Sequence, residues 1–175
     1  MVDRPIAINE PDVLSSTQLR DLVALLQAVV TEGASVGYLR PPDDPAATLY
    51  WSALPRPGVR LFLAESAGAV VGTIQLHNAE SANGTHRAEV CKLLVSPTHR
   101  RRGIGLDLLR HVECAARDDD KLLLHLDTRV GDPSNLLDQR AGWTEAGTIP
   151  AWARSTDGTL EMTRFWYRDL RQPLE

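Results

Sequence analysis

Cysteine is nearly missing from this chain: Cys91 and Cys114 are the two among 175 residues. Both stand in apolar-periodic segments, which excludes a disulfide framework and makes a buried, inert thiol the expectation at Cys91. Long apolar runs are missing too. The longest, such as Leu122–Leu124, fall far short of the roughly 20 residues a membrane span needs. The opening MVDRPIAINEPD holds acids and prolines where a secretory leader carries an apolar stretch. No long period repeats, and no low-complexity linker divides the chain. The five histidines (His77, His86, His99, His111, His125) show no ligand spacing and no partner cysteine pair, so no metal is expected. With 43% hydrophobic and 24% charged residues, what remains is a packed, cytoplasmic protein that does not enter membranes. One domain over residues 1–175 is the expectation.

The patterns that are present alternate between two periods. IAI at 6–8 reads as a short strand. A helix follows in SSTQLRDLVALLQAVV, where Ser15 and Gln18 form a capping-box pattern and Leu19, Leu22, Val23, Leu26 and Val30 make an apolar stripe; Gly33 stops it. Pro45 opens a second helix that reaches about Leu54. VRLFLAES and AVVGTIQLHNAE are strands joined by the Ala67-Gly68 hairpin turn, and AEVCKLLV is a third. Helical spacing returns from Ile104 to Arg117. LLLHLDT is a buried strand, DPSNLLDQRAG a short helix, and WTEAGTI and LEMTRFWYRDL are closing strands. This order predicts an α+β fold, with helices around one mixed sheet.

Against that frame one stretch stands out. SPTHRRRGIG, residues 96–105, concentrates positive charge beside a Gly-x-Gly in a chain of net charge −4. It follows a strand ending at Val95 and opens a helix. Gly103 and Gly105 lack a Cβ and let backbone N–H groups approach a ligand. The helix N-terminus adds partial positive charge and Arg100, Arg101 and Arg102 add full charges, a combination suited to a pyrophosphate. A P-loop is excluded because Gly-Lys-Ser/Thr is missing, and a Rossmann turn lacks its third glycine. A nucleic-acid surface is disfavoured because Asp118–Asp120 end the same helix. A basic helix cap beside a tight turn remains the alternative.

LLVSPTHRRRGIG resembles the acetyl-CoA signature of the GCN5-related N-acetyltransferase (GNAT) family, Arg/Gln-x-x-Gly-x-Gly/Ala, with the match at Arg100, Gly103 and Gly105. EGASVGYL, NGTHRAEVCKLLV, LLLHLDT and the GTIPAW…DGTL tail are similar to the tabtoxin resistance acetyltransferases within it, which acetylate the amino group of a β-lactam amino-acid toxin. The resemblance implies a central, mostly antiparallel sheet whose fourth and fifth strands splay apart, flanked by helices. It implies acetyl-CoA as co-substrate, with the backbone of Leu93, Leu94 and Val95 along the pantetheine. The N–H groups of Arg101, Arg102, Gly103, Ile104 and Gly105 would then hold the pyrophosphate. It further implies direct acetyl transfer to the primary amine of a small amino-acid-like or antibiotic-like molecule, a role in antibiotic resistance, and a homodimer.

Acetylation requires a neutral amine, because an ammonium has no lone pair, so a base is useful near pH 7. Glu89, which matches the general-base glutamate of histone-type members, is one candidate; an exposed strand carboxylate is the plain alternative. Asp127 is the second, at the end of LLLHLDT, where a carboxylate is costly unless paired or functional. It would contact the substrate ammonium or act as base, or simply cap the next loop. Tyr38 and Trp51 would wall the substrate pocket or pack the core. Family members usually carry Tyr-x-x-x-Gly-Phe after the fifth strand, the tyrosine protonating the departing thiolate. This chain has Asp138 there, before Gly142-Trp143. DQR at 138–140 reads as an exposed helix face, which points Asp138 to solvent and leaves the sulfur to water or a hydroxyl such as Tyr167; a buried, protonated Asp138 that donates itself is the other possibility. Loss of the phenol also keeps open a non-catalytic acyl-CoA-binding module of the same fold.

Overall fold

In the computed structural model, which describes residues 5–171, local sequence sets most elements directly. Strand β1 (Ile6–Asn9) leads to α1 (Ser16–Thr31). Ser15 caps α1 by accepting from the Gln18 N–H, and the Gln18 side chain returns the bond to the Ser15 N–H, so the capping box is complete. Helix α2 (Asp44–Ser52) starts at an Asp43 cap with Pro45 in its first turn. Strands β2 (Val59–Ser66) and β3 (Ala69–Asn78) form a hairpin around Ala67-Gly68, both at positive φ. Then come β4 (Arg87–Val95), α3 (Ile104–Asp118), β5 (Leu123–Arg129), α4 (Ser134–Arg140), β6 (Thr144–Arg154) and β7 (Leu160–Asp169). β6 runs five residues further than Ile149, where its expected strand ended. A bulge around Ala151 (φ 55°) admits Pro150 into an edge strand, the place where a missing N–H is tolerated.

All seven strands lie in one sheet, ordered β1-β2-β3-β4-β5-β7-β6. Every neighbouring pair is antiparallel except β4–β5. That parallel ladder has three rungs, Arg87↔Leu123, Ala88↔Leu124 and Glu89↔His125, and then stops. The sheet is therefore two leaves, β1–β4 and β5–β7–β6, joined by a short seam that opens beyond Glu89, the splay the family resemblance implies.

The faces differ. On one, α3 packs across both leaves through Leu108, Leu109 and Val112, burying Ile74, Val90, Leu124, Leu126 and Trp166. On the other, α1 and α2 cover the first leaf only, against Leu61, Leu63 and Leu94. Trp51 is fully buried there, so it belongs to the core rather than to a substrate wall. β6 stays exposed along most of its length. The α1/α2 face of the second leaf is thus an open shelf beside a covered half-sheet.

Candidate active site

The turn at the mouth of the seam is backbone-built. Arg101 (φ 63°) and Gly103 (φ 84°) both take the left-handed conformation, and Gly103 is the N-cap of α3 with no side chain closing that end. The first N–H groups of a helix have no intrahelical partner, so α3 offers them to an anion together with its dipole. A Cβ at Gly103 would meet little, Asp107 Oδ2 being 3.8 Å away, so its glycine answers the backbone conformation. Gly105 is glycine for another reason: a Cβ there would lie 2.9 Å from Leu137 Cδ2, so it makes room for α4. Arg101 and Arg102 are exposed at the turn. The Arg100 guanidinium instead pairs with Glu32 at the end of α1. These residues fit a pyrophosphate, and the unladdered edge of β4 at Leu93, Leu94 and Val95 fits an extended amide chain beside it.

β4 carries a bulge at this point. Thr73 pairs with Leu94 and Gln75 with Cys91, so Lys92 and Leu93 together oppose Ile74, and Lys92 takes φ 51°. The extra residue changes which face the strand presents: Ala88, Val90, Leu93 and Val95 pack toward α3, whereas Leu94 packs toward α1.

The α1/α2 face at the seam holds the polar cluster. Strand register lines up His77, Glu89, His125 and Tyr167 in one row across β3, β4, β5 and β7; beyond it Gln75 pairs with Cys91 on one side of the opening and Asp127 with Phe165 on the other. Both predicted carboxylates are therefore neighbours at the fork. Asp127 is open to solvent on the shelf, yet the surrounding protein mass and then Glu89 hold its carboxyl above the usual aspartate range, opposed by Lys92 and His125. Burial holds His77 and His125 below the usual imidazole range, against the pull of Glu89. The His77 ring is bonded to Gln75 Oε1 at 2.8 Å, and the Tyr50 hydroxyl meets the same amide. Cys91 is half-buried with its thiol pushed up to about 12, which leaves it inert as a nucleophile. Tyr38 reaches over this face from the loop after α1, edge-to-face with Tyr50. Exposed Trp152 stands edge-on to Phe165 across the shelf.

Asp138 lies on the opposite face and overturns the expectation of a solvent-pointing side chain. It is 1% exposed, because the two-turn α4 lays it against β5. Its hydrogen-bonding neighbour is the Thr128 hydroxyl, which also accepts the Trp166 indole N–H at 3.0 Å, and Oδ2 finds no protein partner. Burial pushes the carboxyl up to about 7, so near neutrality much of it stays protonated. Tyr167 sits on the other face, paired in register with His125, and does not share this pocket.

The site's histidines, Lys92, Gln75 and Tyr50 had no part in the sequence-based expectation for the chemistry. Alternation alone puts His125 and Asp127 on one face, a signal that was available. The His77–Glu89 pairing needed the strand register.

A mixed sheet split between parallel neighbours, with an uncapped helix N-terminus at the split and carboxylates facing it, is the plan of acyl-CoA-dependent transferases. The chain belongs to the Acetyltransferase (GNAT) family, whose sequence profile matches residues 24–136, more than half of it. Solved structures agree on the fold. A ribosomal-protein-alanine N-acetyltransferase from Brucella melitensis superposes with a TM-score of 0.80 at 21% identity, covering 93% of this chain and 99% of its own. An N-acetyltransferase from Staphylococcus aureus Mu50 gives 0.82 at 17%, covering 95% and 99%. A phosphinothricin acetyltransferase from Sinorhizobium meliloti, solved with AcCoA, gives 0.77 at 20%, covering 94% and 88%. Among the described residues, no helix is long and apolar enough to cross a membrane.

Proposed function

We propose that the chain transfers an acetyl group from acetyl-CoA directly to the primary amine of a small, amino-acid-like or antibiotic-like molecule. One observation carries this: the seam opens at Glu89, between the bare N-terminus of α3 and a shelf bearing Glu89 and Asp127. Bound acetyl-CoA supplies an activated thioester. The resemblance to tabtoxin resistance enzymes supports the amino-acid-like acceptor, and the phosphinothricin acetyltransferase of the same fold is consistent with it.

The protein's residues then divide the work. Asp127 holds the acceptor ammonium on the shelf beneath Tyr38, and Glu89 takes a proton from it, giving the amine its lone pair. The amide bond forms as the C–S bond breaks, and the second proton of the amine nitrogen leaves to water on the open shelf. The departing thiolate, of a class whose pKa is about 8.5, takes its proton from water at the open seam, because Asp138 is sealed under α4 and does not reach it. The acceptor is a small molecule rather than nucleic acid, because Asp118–Asp120 break the basic turn's continuation.

The test is thiol release from acetyl-CoA over a panel of amines that includes phosphinothricin, alongside calorimetry of acetyl-CoA alone. We expect binding, and release with at least one amine. Tight binding without release from any amine would support the acyl-CoA-binding module instead.

A further inference from the structure

Three cations converge on the start of the loop between α1 and α2. Arg100, from the turn before α3, pairs with Glu32. Arg129, at the end of β5, donates to Gly33 O at 3.0 Å while held by Asp132 and Ser155. Lys92, at the β4 bulge, donates from Nζ to Val36 O at 2.8 Å and stands 6.0 Å from the Tyr38 ring. The loop is shaped around this last contact. Gly37 has φ 86°, and a Cβ there would lie 3.2 Å from Lys92 Nζ, so its glycine serves both the turn and the approach of the ammonium.

Lys92 therefore sits on the β4 bulge, three residues past Glu89, where the ladder to β5 stops. One extra residue turns the strand so that Leu93 and Val95 face α3, and its left-handed backbone aims the lysine at the loop bearing Tyr38. We propose that Lys92 is the positioning residue of the acceptor pocket, fixing the Tyr38 loop over the shelf, so that one bulge sets both the opening for the donor and the wall for the acceptor. This rests on the reading of the shelf as the acceptor site. The bond to Val36 is charge-assisted, the stronger class of hydrogen bond, and it holds a segment with little regular structure of its own.

Lys92→Met keeps the stem and removes the charge. Three measurements on the full chain decide the matter: hydrogen exchange of residues 33–40, acetyl-CoA affinity by calorimetry, and kcat and KM for the amine giving most thiol release. We expect faster exchange in 33–40, an acetyl-CoA Kd within about twofold of the parent, and acceptor KM raised about tenfold with kcat little changed. Lys92→Arg should restore most of the loss. Gly37→Ala should reproduce it from the loop side, which covers a failure of the first variant to fold. The acid limb of kcat/KM should also move to higher pH in Lys92→Met, because Asp127, faced by Glu89, His125 and Lys92, loses the lysine that lowers its carboxyl. Raised KM with unchanged exchange would overturn the proposal, making Lys92 a direct ligand of the acceptor. Faster exchange with unchanged KM would overturn it too. If no amine releases thiol, the transfer reading fails on its own, and unchanged exchange then refutes positioning while faster exchange sustains it.

Discussion

Asp127 and Asp138 belong to the same short stretch of chain and lie on opposite faces of the sheet. On the shelf, Asp127 meets solvent and has a carboxylate, a lysine and a histidine around it, so its charge is adjustable. Behind the sheet, Asp138 is sealed under α4 with one hydroxyl for company and keeps a proton near neutrality. One residue type is thus suited to holding a cation on one side and keeps its own proton on the other. The difference lies in which layer covers the strand: a helix behind, open shelf in front.

The largest expected effect tests the shelf. Glu89→Gln should lower kcat by ~10²-fold, within the range general-base catalysis supplies, with acceptor KM nearly unchanged. Asp127→Asn should do the converse, raising KM more than it lowers kcat. If steady-state kinetics show the two patterns exchanged, the roles exchange with them.

The hidden side comes next. Asp138→Asn should leave kcat within about twofold of the parent, because a sealed carboxyl has no path to the sulfur. It should instead reshape stability. The folded carboxyl holds its proton to about 7 whereas the unfolded one releases it near 3.8. The unfolded state binds fewer protons in between, so stability is full below that lower value and is lost as pH rises through 7. The share falling between pH 5 and pH 8.5 is roughly 3 kcal/mol. Thermal melts should therefore show Asp138→Asn gaining on the parent across that interval, by about 8 °C in Tm. A gap that does not change with pH would mean that Asp138 is ionised in the folded protein.

The two glycines of the turn sharpen the contrast at smaller scale. Gly103→Val, forced into a left-handed backbone, should weaken acetyl-CoA binding by about tenfold in calorimetry. Gly105→Ala should act through Leu137 and α4 instead, and be read first as a lower Tm. The smallest effect is expected at Cys91. With its thiol pushed up to about 12, Cys91→Ala should leave kcat within about twofold, and thiol-alkylating reagents should spare the activity.

What could be read from the sequence was short-range. Ser15 with Gln18, the Ala67-Gly68 hairpin and the turn from Arg100 to Gly105 all follow from residues within one turn of each other, and each is present. Glu89 and Asp127 were found as single residues, but the row that joins His77, Glu89 and His125 depends on the register of three strands. The bulge at Lys92 has no local signature, since lysine has no preference for a left-handed backbone. Asp138 misled because DQR is polar, while burial in a two-turn helix depends on what lies beneath it, here Thr128 and Trp166. Trp51 was ambiguous for the same reason.

The three-rung seam has a mechanical consequence. A sheet pulled or heated along its length yields where the fewest bonds cross, and here that line lies between Glu89 and His125, with α3 as the strap behind it. A molecule lying in the gap and bonding to both edges would act as an eighth strand, stitching the leaves together. Its presence should therefore be felt as slower amide exchange at Leu123, Leu124 and His125, well away from the turn proposed to hold its phosphates.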